Sequence, residues 1–159
     1  MNILITGVHG FVGSNLVKAL VPEHTIFGLD IVAPKKEGVK KTFFWEDLPS
    51  TNLGQTQLLD FPKIDAIIHL AGKAHDTRNK STADVYFRVN TGLTQRIFDW
   101  FLTSKSAKKF IFFSTVKSAA DRVEGEFLTE ECVPTPVGPY GESKIKAEDY
   151  IIGHFAPEA

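Results

Sequence analysis

The chain has 159 residues, a formal net charge of −1 and a hydrophobic fraction of 43%. This length is typical of one domain with a substantial core, so we predict a single domain over residues 1–159. The dispersed, balanced charge argues against a nucleic-acid binder, and no apolar run reaches the ~20 residues that span a bilayer.

Cysteine and histidine content narrows the chemistry further. Cys132 is the only cysteine, which excludes an internal disulfide. The five histidines are scattered, and their one close pair, His69 and His75, lacks the spacing of metal ligands, so no metal site is expected. The sequence starts directly on a predicted strand rather than a signal peptide, which makes the cytoplasm the expected compartment.

The first fifteen residues predict a strand, a glycine turn and a helix. Residues 2–6 form a short apolar run rich in β-branched side chains, which is typical of a buried strand. Gly7, Gly10 and Gly13 follow at three-residue spacing, and apolar residues then recur at helical intervals. Glycines let the backbone approach a ligand closely, and the N–H groups at a helix N-terminus suit a pyrophosphate.

A second predicted strand, near residues 25–31, carries Asp30 at its end. This acid lies 23 positions after Gly7, near the ~20-residue distance at which a carboxylate meets the adenosine ribose hydroxyls. An aspartate favours NAD because it repels a 2′-phosphate, although Lys35 and Lys36 lie close by and leave NADP as an alternative. A surface acid after a glycine-rich turn is the other interpretation, but the strand context favours dinucleotide binding.

The remaining chain alternates predicted strands and helices. Strands are predicted over residues 41–45, 65–70 and 109–114, a short helix over 53–59 and a final helix over 141–153, with a loop over 116–139. The longest helical pattern covers residues 82–103, where apolar side chains recur every four residues and predict a buried stripe: Val85, Val89, Leu93, Ile97 and Phe101. This alternation implies a doubly wound parallel sheet of the Rossmann-like α/β class.

Tyr140 and Lys144 lie four residues apart at the start of the final helix and share one face. A lysine ammonium beside a phenol favours the phenolate, which makes Tyr140 a candidate general base towards a carbinol. An ordinary surface pair is the alternative for most such spacings. Here it would also require the glycine loop and Asp30 to be coincidental.

With these motifs in place, the chain resembles the N-terminal part of the NAD-dependent epimerase/dehydratase family. These extended short-chain dehydrogenases/reductases act on nucleotide sugars. The matching positions are residues 6–13, Asp30, residues 69–72, Val89-Asn90 with Gly92, Ser114-Thr115 and residues 139–144. The segments HLAGKAH, FFSTVKS and PYGESK are most similar to bacterial sugar epimerases of surface-polysaccharide pathways.

The resemblance implies a role for each matched residue. The catalytic group would be Thr115, bonding the reacting hydroxyl, Tyr140, taking its proton, and Lys144, binding the nicotinamide ribose and tuning Tyr140. NAD would be the cofactor, with its pyrophosphate held by Gly7, Gly10, Phe11, Val12 and Gly13. Its remaining contacts would be Asp30 and Ile31 at the adenosine ribose, Asp47 and Leu48 at the adenine, Leu70, Ala71, Gly72 and Lys73 towards the nicotinamide, and Asn90 as a cofactor-side or helix-anchoring residue.

The chain departs from the family pattern in three places. Val116 and Lys117 stand where the dehydratases carry an Asp-Glu pair, so elimination of water is not expected. Residues 118–120, Ser-Ala-Ala, replace Val-Tyr-Gly at the substrate edge. Family members also have roughly 150 further residues that complete the sheet and form the substrate domain. The resemblance therefore implies the cofactor-binding part of a nucleotide-sugar epimerase, with little activity expected of these 159 residues alone.

Two other functions remain open at this stage. A non-catalytic module that binds NAD, or only folds and dimerises, is compatible with the short chain. A reductase, dehydratase or decarboxylase of the same fold is the second alternative. The helix over residues 82–103 is rich in aromatic residues, and together with the C-terminal helix it is the expected contact of a homodimer.

Overall fold

The computed structural model describes residues 1–48, 61–74, 81–123 and 125–155. Within these ranges a parallel sheet has the strand order β3-β2-β1-β4-β5. Its strands are β1 (Asn2–Thr6), β2 (Thr25–Asp30), β3 (Val39–Phe44), β4 (Ala66–His69) and β5 (Lys109–Phe112). The helices are α1 (Phe11–Leu20), α2 (Ala83–Tyr86), α3 (Leu93–Thr103), α4 (Val116–Ala119) and α5 (Pro139–Gly153). The predicted parallel, Rossmann-like sheet is confirmed.

The chain divides into two compact units. The first contains residues 1–71 and 96–113, and therefore the whole sheet and α1. The second contains residues 72–95 and 114–159, and therefore α2, α4 and α5. The single domain expected from chain length stays a prediction.

The core of the first unit is built on β1, the central strand. Ile3 and Ile5 point to one face of the sheet, where they pack with Val17 of α1 and with Ile26 and Ile68 of the neighbouring strands. Burial on both faces is typical of parallel sheets, and each fully buried aliphatic side chain contributes about 1.5–3 kcal/mol. This burial fixes β1, and with it the position of the loop that follows.

Aromatic side chains of α3 pack inside the first unit. The ring centroid of Phe101 lies 5.4 Å from that of Phe110, and the ring of Phe98 meets Phe110 edge-on at 5.1 Å. The ring of Trp100 meets that of Phe61 edge-on at 5.2 Å. Packing within the unit thus accounts for these aromatic residues of α3, which the sequence analysis assigned to a subunit contact. The homodimer stays a prediction.

Some predicted elements differ from the structure. β3 begins at Val39, two residues before its predicted start, and the connection from β2 to β3, residues 31–38, is a loop without a helix. The loop predicted over residues 116–139 contains α4 and an isolated bridge between Ala120 and Thr135. The helix predicted over residues 53–59 lies outside the described residues.

The long helix predicted over residues 82–103 contains a π-helical segment, Phe87–Gly92, between α2 and α3. A π turn holds one residue more than an α turn, so it rotates the residues on either side of it. The buried positions are Tyr86, Asn90, Thr91 and Thr94, which are 4%, 1%, 5% and 0% exposed. The predicted apolar stripe is therefore wrong in this segment, where its members are only half-buried: Val85, Val89 and Leu93.

None of the helices in the described part of the chain has the length and the hydropathy needed to cross a bilayer.

Candidate functional site

The glycine loop joins β1 to α1 in the first unit. Gly7 adopts a φ of +68°, and its N–H donates to the carbonyl oxygen of Leu29 at 2.9 Å. A Cβ added to Gly7 would stand 3.0 Å from the backbone of Ala71, and one added to Gly13 would stand 2.5 Å from the carbonyl oxygen of Gly7. The backbone approaches itself this closely only because both positions are glycine.

The start of α1 fits a phosphate group. Helical bonding begins with the Ser14 N–H, which donates to the carbonyl oxygen of Gly10 at 2.9 Å, so the N–H groups of the first turn have no partner within the helix. Gly10 stands at the N-cap and has no side chain to cap them. The side chains of Phe11 and Val12 are exposed, so only their backbone is suited to the predicted pyrophosphate contact. These donors and the positive end of the helix dipole favour an anion.

Asp30 ends β2 beside this loop. Its Oδ2 accepts the N–H of His9 at 3.0 Å, and its Oδ1 accepts the N–H of Ile31 at 2.8 Å. The Nε2 atom of His9 lies 3.2 Å from the hydroxyl of Thr42. A carboxylate has about four acceptor sites, so Asp30 can still accept ribose hydroxyls. The sequence analysis missed the role of His9, because no local sequence pattern indicates that a residue between two glycines of the loop contacts Asp30 and Thr42.

A buried cluster shapes the ends of β1 and β4. The hydroxyl oxygen of Thr6 accepts the N–H groups of Leu70 at 3.1 Å and Ala71 at 2.9 Å, and lies 2.6 Å from Nδ1 of His69. Because the Thr6 oxygen already accepts two hydrogen bonds, the Thr6 hydroxyl proton is donated to Nδ1 of His69. Nδ1 then acts as an acceptor, so the ring proton of neutral His69 lies on Nε2. The cluster holds the predicted cofactor residues Leu70 and Ala71 against Gly7.

His69 is therefore a buried structural residue, and its predicted neighbour His75 lies outside the described residues. Within the described ranges, no group of three histidine, cysteine or acidic side chains could hold a metal ion.

Asp47 and Leu48 follow β3 in a tight turn, Trp45–Asp47. The carboxylate of Asp47 accepts the N–H of Phe44 at 2.8 Å, and Leu48 is 2% exposed. The Asp47 side chain thus stabilises its own turn, while Leu48 belongs to the core. Their contact with an adenine stays a prediction.

In the second unit, α5 begins at Pro139 and carries Tyr140 and Lys144 one turn apart. Lys144 is only 6% exposed, and this burial lowers its pKa to about 8, against the raising effect of the Glu148 carboxylate one turn further on. The ring centroid of Tyr140 lies 6.3 Å from that of Tyr86. The structure thus supplies a buried amine one turn from a phenol, which suits proton transfer.

Asn90 connects three parts of the second unit. Its Oδ1 accepts the Lys73 N–H at 2.7 Å, and its Nδ2 donates to the Lys73 carbonyl at 3.1 Å and to Ser143 Oγ at 2.9 Å. Thr91 of the same π-helical segment donates to the Ser143 carbonyl at 2.8 Å. Every polar atom of the Asn90 amide is used by the protein, which favours a helix-anchoring role over a cofactor contact. The part played by Ser143 was missed, although it lies inside the PYGESK segment.

Thr115 stands at the N-cap of α4. Its Oγ1 accepts the N–H of Lys117 at 3.3 Å, and its carbonyl accepts the hydroxyl of Ser118 at 2.6 Å. A Cβ on Gly141 would collide with the carbonyl oxygen of Lys117, so α4 packs against α5 next to Tyr140 only because residue 141 is glycine. Sequence reasoning placed residues 116–139 in a loop and gave Gly141, at the start of the predicted final helix, no role of its own.

The predicted site residues fall into two groups. The first unit holds the glycine loop, Asp30, Ile31, Asp47, Leu48, Leu70 and Ala71; the second holds Gly72, Lys73, Asn90, Thr115, Tyr140 and Lys144. Within the second group, the Lys73 ammonium lies 5.5 Å from the ring centroid of Tyr86. The individual roles stay predictions.

Comparisons with known proteins agree with this geometry. A family model described as "NAD dependent epimerase/dehydratase family" matches residues 3–156. UDP-glucose 4-epimerase of Streptococcus mutans is 27% identical over 154 residues, 93% of this chain and 45% of that protein. UDP-glucose 4-epimerase of Vibrio cholerae is 29% identical over 160 residues, 95% of this chain and 46% of that protein. The chain thus spans about half the length of these relatives.

Solved structures give the same result. MoeE5 in complex with UDP-glucuronic acid and NAD matches with a TM-score of 0.77 and 26% identity, covering 99% of this chain and 50% of that one. UDP-glucuronic acid 4-epimerase from Bacillus cereus in complex with NAD matches with a TM-score of 0.71 and 25% identity, covering 97% and 52%. The chain has the parallel sheet, the glycine loop and the Tyr140–Lys144 turn, and the family model matches residues 3–156. The chain therefore belongs to the NAD-dependent epimerase/dehydratase family.

Proposed function

We propose that the chain is the cofactor-binding part of an NAD-dependent epimerase that acts on a nucleotide sugar. The observation that carries the proposal is the buried Lys144 one turn from Tyr140, on a helix whose first turn is anchored by Asn90. Relatives named as UDP-glucose 4-epimerases, and neighbours solved with UDP-sugars and NAD, support this substrate class. The relatives that are named for this activity are about twice the length of this chain.

NAD would be held at the glycine loop and Asp30, and it would supply the hydride acceptor and donor for the sugar carbon. Tyr140 takes the proton of the reacting hydroxyl. Lys144 is mostly protonated at neutral pH, since its pKa is about 8, and its positive charge stabilises the phenolate. The Oγ1 atom of Thr115 accepts from the Lys117 N–H, which leaves the threonine proton to donate to the substrate oxygen.

The residues after Thr115 favour epimerisation over dehydration. Val116 and Lys117 occupy the positions at which the family's dehydratases carry an acidic pair. Without a carboxylate there, neither the acid nor the base for removing water is present at these positions. A dTDP-glucose 4,6-dehydratase from Streptomyces griseus is also similar to this chain, at 25% identity, so the distinction depends on these residues rather than on overall similarity.

The experiment that tests the proposal is calorimetric titration of NAD⁺ into the chain and into Tyr140→Phe. We expect NAD⁺ to bind both with affinities within about threefold, because the phenol acts on the substrate. A large loss of affinity in Tyr140→Phe would make Tyr140 a cofactor residue. Absence of binding to the wild-type chain would contradict the assignment of the glycine loop.

Absorbance at 340 nm then separates an enzyme from a non-catalytic NAD-binding module. With UDP-glucose and NAD⁺, we expect a UDP-sugar-dependent rise in the wild-type chain that stops at or below one NADH per chain, because epimerisation returns the hydride to the sugar, and that Tyr140→Phe abolishes. If the wild-type chain binds NAD⁺ but no UDP-hexose produces a rise, the non-catalytic module is the better description.

A further inference from the structure

Glu148 of α5 is a half-buried acid that takes no direct part in the proposed proton transfer. It lies four residues after Lys144, which itself lies four residues after Tyr140. Side chains at this spacing follow one another along one face of an α-helix. The carboxylate therefore belongs to the face of α5 that carries the phenol and the ammonium of the expected reaction site.

A hydrogen bond joins Glu148 to the segment that carries Thr115. The hydroxyl of Ser114 donates to Oε1 of Glu148, and Ser114 directly precedes Thr115 in the chain. The same segment is fixed by the Ser118 hydroxyl, which donates to the carbonyl oxygen of Thr115 at 2.6 Å. All of these residues lie in the second unit. The carboxylate is thus held in place between the lysine and the residue before the expected substrate hydroxyl contact.

Lys144 is a buried amine that depends on a nearby negative charge to stay protonated. Its side chain is 6% exposed, and burial lowers its pKa to about 8, whereas the Glu148 carboxylate raises it. At pH 7 a group with this pKa is about 90% protonated, and a pKa one unit lower would leave about half of it neutral. Because the expected role of Lys144 requires a positive charge, the carboxylate matters at neutral pH.

Other charged groups stand on the elements that pack against α5, namely Asp84 of α2, Arg88 of the π-helical segment and Lys117 of α4. The first two are exposed to solvent, which screens their charge, and the Lys117 ammonium is paired with the carboxylate of Asp121. The Glu148 carboxylate, by contrast, raises the pKa of Lys144.

Two further groups lie at the Tyr140 end of this face. The ring centroid of Tyr86 is 6.3 Å from that of Tyr140, and the ammonium of Lys73 is 5.5 Å from the ring centroid of Tyr86. Neither a second phenol nor a second ammonium supplies the negative charge that a buried lysine requires.

A contribution to helix stability does not account for this arrangement. An acid four residues before a lysine is the more favourable order in an isolated helix, and Glu148 stands four residues after Lys144. The lysine of the pair is also buried, which is unlike a solvated pair on a helix surface. The order and the burial favour a role for Glu148 in setting the charge of Lys144.

We propose that Glu148 is a positioning residue for the reaction at Tyr140 and Lys144. Its carboxylate is held by Ser114 and supplies the negative charge that balances the Lys144 ammonium. Glu148 acts through Lys144 rather than on the substrate. This inference depends on the proposed function, in which the charge of Lys144 stabilises the phenolate of Tyr140.

The direct test is the protonation midpoint of Lys144, followed by ¹³C NMR of the lysine side chains between about pH 6 and about pH 10. The Lys144 resonance is identified by its absence from Lys144→Met. Glu148→Gln removes the charge and keeps an oxygen that can accept from Ser114. Glu142→Gln is the control, because Glu142 is exposed on the same helix and two residues from Lys144, off the face that the lysine shares with Glu148.

We expect the Lys144 midpoint to lie about half a pH unit or more lower in Glu148→Gln than in the wild type, because the neutral form is no longer opposed by the carboxylate. Glu142→Gln should leave it within about 0.2 of the wild-type value. Ser114→Ala should lower it by less than Glu148→Gln, since the released carboxylate turns partly into water. An unchanged midpoint in Ser114→Ala would overturn the part assigned to Ser114.

A second readout is the initial rate of UDP-glucose-dependent NADH formation as a function of pH. We expect the rate of Glu148→Gln relative to the wild type to fall by about twofold or more between about pH 6 and about pH 8, because the variant loses its protonated lysine at lower pH. A merely structural defect would lower the rate by the same factor at every pH.

The two readouts separate this proposal from the proposed function. An unchanged Lys144 midpoint in Glu148→Gln overturns the proposal, whether or not the chain forms NADH. A lowered midpoint with a rate ratio that is independent of pH overturns the role of Glu148 in the reaction. A lowered midpoint without NADH formation by the wild type contradicts the proposed function, and Glu148 then sets only the charge of Lys144.

Discussion

Asn90 donates a hydrogen bond from Nδ2 to Oγ of Ser143, and the Ser143 hydroxyl in turn donates to the carbonyl oxygen of Tyr140 at 2.8 Å. The first turn of α5 is thereby tied to the π-helical segment. The same amide holds the backbone of Lys73 through two further bonds. One buried side chain therefore fixes the helical turn between the expected base, Tyr140, and its lysine.

We predict that Asn90→Ala lowers the free energy of unfolding by about 2–4 kcal/mol, because it leaves buried donors and acceptors of Lys73 and Ser143 without their partner. The measurement is urea denaturation followed by circular dichroism. Asn15→Ala is the control, since Asn15 is exposed and donates only to the Phe11 carbonyl in its own helix. Equal stability of the two variants would show that the Asn90 network contributes little.

The sequence was sufficient to predict the sheet and the glycine loop, because both depend on local patterns. An apolar strand followed by Gly7, Gly10 and Gly13 is a local pattern typical of a strand, a tight turn and the start of a helix. Tyr140 and Lys144 were also recognisable, because α-helical spacing alone places them on one face. The match of the family model over residues 3–156 agrees with these interpretations.

Other features depend on contacts between residues far apart in the chain and could not be predicted. Asn90 and Ser143 are 53 residues apart, and the π-helical turn that directs Asn90 inward has no sequence pattern of its own. His9 is held by contacts with Asp30 on β2 and Thr42 on β3. The four-residue apolar repeat predicted the wrong buried residues before Ile97, because the π turn rotates the helix there.

We predict that Gly13→Ala destabilises the first unit by about 3 kcal/mol or more, because its Cβ would overlap the backbone of Gly7 and Val8, which cannot move away as a side chain could. Gly153→Ala is the control, as nothing lies within 4 Å of its added Cβ. That variant should gain up to about 1 kcal/mol from the better helix propensity of alanine. Thermal denaturation of both variants tests the close approach in the loop, and similar melting temperatures would argue against it.

Asp30→Ala should weaken NAD⁺ binding by about tenfold or more, because hydrogen bonds from the ribose to a charged acceptor are lost. Calorimetric titration measures the change, with the exposed Glu23→Gln as a control that should bind like the wild type. NADP⁺ affinity should rise in Asp30→Ala relative to NAD⁺, since removing the carboxylate removes its repulsion of a 2′-phosphate. An unchanged NAD⁺ affinity would mean that Asp30 does not contact the ribose.

The buried ammonium of Lys144 predicts a pH-dependent stability. Burial lowers its pKa from 10.5 to about 8, so between these values the unfolded chain keeps a proton that the folded chain has lost. Stability rises with pH wherever the unfolded state binds more protons, here by up to roughly 1.4 kcal/mol per pH unit. Below about pH 8 both states are protonated, and this contribution no longer changes.

Urea denaturation of the wild type and Lys144→Met between pH 7 and about pH 10 measures this effect. We expect the wild type to gain stability relative to Lys144→Met as the pH rises above 8, because only the wild type carries the group that titrates. Lys146→Met, at an exposed lysine of the same helix, controls for the general effect of removing a charge from α5. If the difference between wild type and Lys144→Met stays constant over this range, burial does not shift the lysine, and Lys144 would remain charged throughout the working range of the site.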